Sequence, residues 1–452
     1  MGLLCYAASL YRTVQLKSCF CMGLLRYAVF VGVAAFLISC GMDTLHSNHP
    51  IHFGGEVDSS YEAVRKVFEQ NFIDGLEPEG ASFAVYVKGQ KVVDLWGGYA
   101  DIQAARTWKE DTISVVFSTT KAVAAFCIAL LADRGRLRYD DLVSKHWPGF
   151  AKNGKGNITV EWVMSHMSGL HYFNEPITKK IATEHNLMRE LIENEAPKLP
   201  PGTNFSYHAL TYGWLVDQIV RHTDKKKRGI GQFLREEITE PNGIDFHIGL
   251  NLSEEYRVAR IAPIKTLERL KEIFRKFRSA FMFLKYSFAD KKSSVNKAVS
   301  NPSWITVSPH CCTTNDPEQH AIEQAAWLGV GNARSLAKLF DLFFNKRLIG
   351  AKMLSLLKKP VVNGTNYVQK DVAFGHGFMY HPPVVSEGNP LIGHAGYGCQ
   401  EVNFDTTNNI AISYISNGLK WVCVPADLVQ DATKDISSNA EDWIGEIGGW
   451  QI

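Results

Sequence analysis

The sequence predicts an α/β (α+β) protein: a β-sheet flanked by helices, with an α-helical lobe inserted into it. Three observations lead there. Strand-like apolar runs lie near the front, in "ASFAVYVKGQKVVDLWGGYAD", and again at the end, in "GHAGYGCQEVNFD" and "IAISYISNG". Between them, several segments place apolar residues every three or four positions, which is the helical period. No low-complexity linker or repeat divides these regions, so the two strand groups share one sheet only if the helical middle is inserted between them. The composition fits a globular body with its own core: 452 residues, 46% hydrophobic and 21% charged. A net charge of +2 supplies no basic excess for nucleic acid, so no nucleic-acid partner is expected.

In chain order, residues 1–45 stand apart from a body at 46–452. Arg12, Lys17 and Arg26 precede Asp43, the first acidic residue, and Tyr27 to Gly41 is uncharged and mostly apolar. Extended back to Met22, this stretch nears the ~20 residues that span a bilayer. The expectation is a single-pass membrane anchor with the body lumenal or extracellular. A cleaved signal peptide, a mitochondrial presequence and a lipoprotein-like ending at "LISC" are the alternatives. Four N-x-S/T sequons, at Asn157, Asn204, Asn251 and Asn363, agree with an exported body. Nine cysteines without a CxxC pair argue against a zinc ribbon and leave room for a single bridge.

"SYEAVRKVFEQNFIDGL" puts Val64, Val67, Phe68 and Phe72 on one helix face. Two apolar runs around Lys88-Gly89-Gln90 form a hairpin. "TISVV" reads as a strand and "AVAAFCIALLADRGRL" as a buried helix. "ITVEWVMSHMSGL" reads as a strand or helix start and then a helix ended by Gly169, the chain after Pro200-Pro201-Gly202 is helical by Tyr212, and "NARSLAKLFDLFFN" is amphipathic. From Lys265 to Lys297 a basic stretch keeps Leu267, Leu270, Phe274, Phe277, Phe281 and Leu284 at helical spacing. The plain reading is a solvated helix face of the lobe; the sharper one is a lid or membrane-surface helix.

Chemistry concentrates in "FSTTKAV". Ser118 and Lys121 are three apart at the start of an apolar helix, hence on one face and near unpaired backbone N–H groups. A lysine there acts as a base only if burial keeps it neutral. The alternative is a helix cap beside a surface lysine. Tyr207, in "PGTNFSYHALTY", is a candidate proton relay or else a core aromatic. His394, in "GHAGYG", lies on a strand of small residues that lets a ligand approach; a polar edge-strand position is the alternative.

Taken in order, these pieces resemble the serine β-lactamase and penicillin-binding-protein family, nearest its class C-like esterase branch. The likeness runs from about Phe53 to Gly418. "STTK" stands for the SxxK motif, Tyr207-His208-Ala209 for Tyr-x-Asn, and His394-Ala395-Gly396 for Lys-Thr-Gly. The resemblance implies a β-lactamase/transpeptidase-like antiparallel sheet. It also implies an acyl-enzyme on Ser118, with Lys121 and Tyr207 sharing the base and relay roles. His394 would help to orient Tyr207, and the oxyanion would sit between the N–H groups of Ser118 and Tyr397, the residue after Gly396. No cofactor is implied. Ala209 and His394 replace the asparagine and lysine that β-lactamases use to hold their drugs, which points to small neutral esters or amides. A silent scaffold that kept the pocket, or a peptidase for D-residue ends, are the alternatives. No GxSxG elbow supports an α/β-hydrolase.

Overall fold

The computed structural model describes residues 49–264, 294–308, 311–345, 348–364, 372–382 and 388–420, together with Cys423 and Asp431. The expected membrane anchor and nearly all of the basic stretch at 265–297 lie outside these residues. By internal contacts the chain divides into two units, Met1–Pro50 with Lys265–Arg275, and Ile51–Ile264 with Lys276–Ile452. The second unit holds the sheet, the helices around it and the candidate site. Among the described residues, no helix is long and apolar enough to cross a membrane.

The sheet begins with β1 (Phe53–Val57), β2 (Gly80–Val87) and β3 (Gln90–Asp101). Lys88 and Gly89 join β2 to β3, both at positive φ (51° and 90°), as a two-residue hairpin turn needs for its twist to match the strands. The rest comes from the end of the chain: β4 (Val362–Gly364), β5 (Val372–Gly375), β6 (Phe378–His381), β7 (Leu391–Gly396), β8 (Gln400–Asp405) and β9 (Ile410–Ser416). Their order is β1-β3-β2-β9-β8-β7-β6-β5-β4, antiparallel throughout, and Arg106–Thr107 adds a short strand on β3. β2 pairs with β9, from Ala81 opposite Ser416 to Val87 opposite Ile410. The helical middle is therefore an insertion, as the sequence predicts.

Helices cover both faces, and the period-2 alternation of β2 shows it. Phe83 and Val85 pack with Val64, Phe68 and Phe72 of α1 (Glu62–Ile73). Ala84 and Tyr86 face the larger core. There α2 (Thr120–Asp133), apolar all round and buried along nearly its whole length, sets Phe126 against Phe343 of α5 (Ala333–Phe344), ring centroids 3.9 Å apart. Two further helices border the site: α3 (Val160–Met164), capped by the Thr159 hydroxyl that accepts from Trp162 N–H, and α4 (Thr211–Thr223).

Buried polar groups fasten the junction of the two strand groups. The Asn417 side chain accepts from Gly80 N–H (2.9 Å) and donates to the carbonyls of Tyr99, Ala100 and Arg260. Glu77, 2% exposed, accepts from Tyr414 Oη (2.7 Å), Ser416 Oγ (3.0 Å) and Lys420 Nζ (2.8 Å). Removing one partner of a buried ion pair strands the other charge. Glu77→Ala is therefore expected to lower unfolding free energy by roughly 3–5 kcal/mol. A urea midpoint equal to that of the unaltered protein would reject this.

Two features differ from the sequence reading. "TISVV" supplies only Ser114–Val115, in a separate small sheet with Val330–Gly331 and Phe246–His247. Its partners are distant in sequence, so periodicity gives no sign of them. β4 to β6 have three or four residues each, too short for alternation to show. Among the described residues one disulfide is present, Cys399–Cys423, the single bridge for which the sequence left room.

Candidate active site

Each residue of "STTK" has a separate task in the structure. Phe117–Thr119 form a single 3-10 turn that runs into α2. Phe117 is fully buried yet has φ +49°, a left-handed conformation that a bulky residue holds only when its surroundings force it, at a cost of order 1–3 kcal/mol. This turn leaves Ser118 half-buried while its neighbours on both sides are buried. The Thr119 hydroxyl donates to His394 O on β7 (3.4 Å). Thr120 Oγ1 donates to Phe117 O (2.5 Å) and accepts from Gly329 N–H (3.0 Å), which fastens the strained turn to the small sheet.

Lys121 points inward and is 0% exposed. Its Nζ lies 3.1 Å from Ser118 Oγ, 2.8 Å from Ala209 O and 2.9 Å from Ala326 O. Burial pushes the amine well below the usual lysine range. An uncharged amine has two N–H groups and one lone pair. In that form the two carbonyls would accept both hydrogens and leave the lone pair for the Ser118 hydroxyl. Gln324 holds this arrangement, donating to Leu210 O (2.7 Å) and accepting from Ala326 N–H (2.8 Å).

Tyr207 lies in the loop before α4, with its ring centroid 5.0 Å from Lys121 Nζ. It packs against His166 (4.6 Å between centroids), Phe374 (6.1 Å) and His394 (6.4 Å). His394 is 1% exposed on β7, which runs between β6 and β8, so the edge-strand alternative is excluded. Its Nδ1–H donates to Ala395 O (2.7 Å), which leaves Nε2 as a buried acceptor that, among the described residues, makes no hydrogen bond. The ring's one N–H is thus spent on the backbone, and the ring offers the site an acceptor. Burial, and next the Lys121 amine, push His394 down to about 3.

Gly396 explains how β7 reaches the Ser118 turn. A Cβ there would stand 2.4 Å from Val116 O and 2.8 Å from Thr119 Oγ1. The close approach brings the backbone of Tyr397 alongside the Ser118 turn. The structure therefore gathers Ser118, Lys121, Tyr207, His394, Gly396 and Tyr397 from separate parts of the chain.

Several contributors escaped the sequence reading. The Lys121 acceptors are backbone carbonyls, for which side-chain identity is no guide. Histidines ring Tyr207: His166 Nδ1 accepts from His208 N–H (3.1 Å), and His208 Nε2 accepts from Ser168 Oγ (2.7 Å). "SHMSGL", which carries His166 and Ser168, was the available signal. Burial pushes His208 down to about 3 and His171 to about 4, and His166 well below its usual range. Unfolded histidines near 6.5 bind protons that these native ones refuse, so stability is complete above pH 6.5 and lost as pH falls toward 3–4. His208 and His394 alone predict a loss of roughly 2 kcal/mol between pH 6 and pH 5, with His166 and His171 adding in the same sense. Urea unfolding at the two pH values measures it; equal midpoints would contradict the buried neutral cluster.

Comparison with known proteins gives the same outline. The family model described as Beta-lactamase matches residues 68–433. "Esterase/beta-lactamase LipL" of Mycobacterium tuberculosis is 29% identical over 381 residues, 82% of this chain and 85% of the relative. Among solved structures, a penicillin-binding-protein homologue from Caulobacter crescentus aligns with TM-score 0.71 and 31% identity, over 85% of this chain and 100% of its own. A family VIII carboxylesterase aligns with TM-score 0.73 and 26% identity, again over 85% and 100%.

Proposed function

The chain belongs to the β-lactamase family, and from that premise we propose that it is a serine hydrolase that forms an acyl-enzyme on Ser118 and cleaves neutral esters or amides. The observation that carries this reading is the buried Lys121 amine, its hydrogens taken by Ala209 O and Ala326 O and its lone pair left to Ser118 Oγ, 3.1 Å away.

Ser118 Oγ attacks the carbonyl carbon while its proton passes to Lys121 Nζ. The N–H groups of Ser118 and Tyr397 receive the charge that develops on the carbonyl oxygen. The bond to the leaving group breaks, and the proton reaches the leaving oxygen or nitrogen from Lys121 through Tyr207. Water then attacks the acyl-Ser118 ester, gives its proton back along the same route, and releases the acid with the Ser118 hydroxyl restored. Lys121 is favoured over Tyr207 as first base. A tyrosine serves there only beside cations that stabilise its phenolate, and burial pushes Lys121, His166 and His394 toward their neutral forms.

Two things favour neutral substrates over β-lactam drugs. His394, held neutral, offers an acceptor where a carboxylate would need a cation, and the Ala209 side chain offers no amide. The family VIII carboxylesterase is an esterase by name, in agreement with this preference, whereas LipL is named both esterase and β-lactamase. We place the body in an oxidising, exported compartment, on the strength of the Cys399–Cys423 bridge. Labelling the protein with a fluorophosphonate and mapping the adduct tests the central claim. An adduct on Ser118 with ester turnover supports it. Intact protein that resists the probe and turns over neither esters, amides nor nitrocefin marks a silent scaffold instead.

A further inference from the structure

The wall beside the nucleophile is aromatic. Phe117 packs edge-on against Trp327 (ring centroids 4.9 Å) and against Tyr397 (5.7 Å), and the last two stack on each other at 6.0 Å and 27°. Trp327 and Tyr397 are half-buried, as is Ser118. The indole nitrogen of Trp327 is itself buried, so the part of the ring left open is carbon. Beneath them lies a wholly apolar cluster that includes Val115, Leu250 and Val330, and Val307 packs on the same cluster.

Chain position ties this wall to the chemistry. Trp327 directly follows Ala326, whose carbonyl holds Lys121, and Tyr397 directly follows Gly396. The rings around Tyr207 form a different group, with His166, Phe374 and His394. A leaving group has to face its proton donor, on the side of Lys121 and Tyr207. The other carbon substituent of the carbonyl, the acyl chain, is then directed away from them.

From this we infer that Trp327 and Tyr397 form an acyl-binding wall that selects esters of apolar carboxylic acids, aliphatic or aromatic, over acetate-sized ones. The inference rests on the hydrolase reading above and names its substrate class. Each methylene removed from water favours binding by about three- to fourfold.

The test is kcat/KM for p-nitrophenyl acetate, butyrate, hexanoate and benzoate, with methyl, butyl and hexyl butyrate as the alcohol-side series. In the unaltered protein, hexanoate is expected to exceed acetate by roughly tenfold or more. Trp327→Ala lowers that hexanoate-to-acetate ratio at least several-fold, and Trp327→Phe, which keeps a ring, retains most of it. The unaltered series decides on its own if the alanine variant does not fold. A flat acyl series, an unchanged ratio in folded Trp327→Ala, or a Trp327 dependence found only in the alcohol series overturns the inference. If Ser118 is labelled and acetate is turned over while the acyl series is flat, this inference alone fails. If no ester is turned over and Ser118 resists labelling, the hydrolase reading fails first.

Discussion

Ser118→Ala is expected to lower kcat toward esters by on the order of 10^4 or more and to abolish fluorophosphonate labelling. Neither other hydroxyl of the same turn replaces it at the Lys121 amine. Thr119 is engaged with β7, and Thr120 is fixed between Phe117 O and Gly329 N–H. Truncating a half-buried hydroxyl removes little packing, and the Lys121 amine keeps its bonds to Ala209 O and Ala326 O, so the fold is expected to survive, with a urea midpoint close to that of the unaltered protein. Wild-type turnover in the alanine variant would move the chemistry elsewhere.

Lys121→Met is expected to lower kcat by roughly 10^2–10^4, the usual range for a positioned general base. Lys121→Arg should not rescue it, because a guanidinium stays charged and accepts no proton. The unaltered enzyme adds a pH signature. The amine works only when deprotonated, so kcat/KM rises with pH as Lys121 loses its proton. Burial lowers the native pKa, so that rise is complete well before the ordinary lysine range near 10.5. The stability effect has the same sign. Between the lowered native pKa and 10.5 the unfolded chain binds a proton that the native amine refuses, so unfolding free energy increases with pH across that window. In Lys121→Met this increment is absent, while the carbonyls of Ala209 and Ala326 lose their donor at about 1–3 kcal/mol each. Kinetics from pH 6 to 10, with urea titrations at both ends, measure both effects. An activity still climbing at pH 10 would show an ordinary lysine.

How much of this was legible depends on the range over which each feature is encoded. α1, α2, the Lys88-Gly89 hairpin and α5 are written in local periodicity and turn chemistry, and the structure has them where the sequence put them. Ser118 and Lys121 are three apart on one chain segment, so their proximity is local too. The short strands β4 to β6 gave no signal, because three or four residues do not establish an alternation.

The order of motifs along the chain determined the family, the residue types of the site and the inserted architecture. Tertiary structure alone decided their chemical states. A lysine reads as a cation in any sequence. Here α2 carries Lys121 into a region with no exposure, where two backbone carbonyls from segments 88 and 205 residues away take its hydrogens. A histidine reads as donor or acceptor alike, until the Ala395 carbonyl takes the Nδ1 proton of His394. Nothing in "FSTTKAV" announces that Phe117 must hold a left-handed turn. Desolvation, tautomer and strain all arise from groups that are distant in sequence and close in space, and for that reason only the folded chain fixes them.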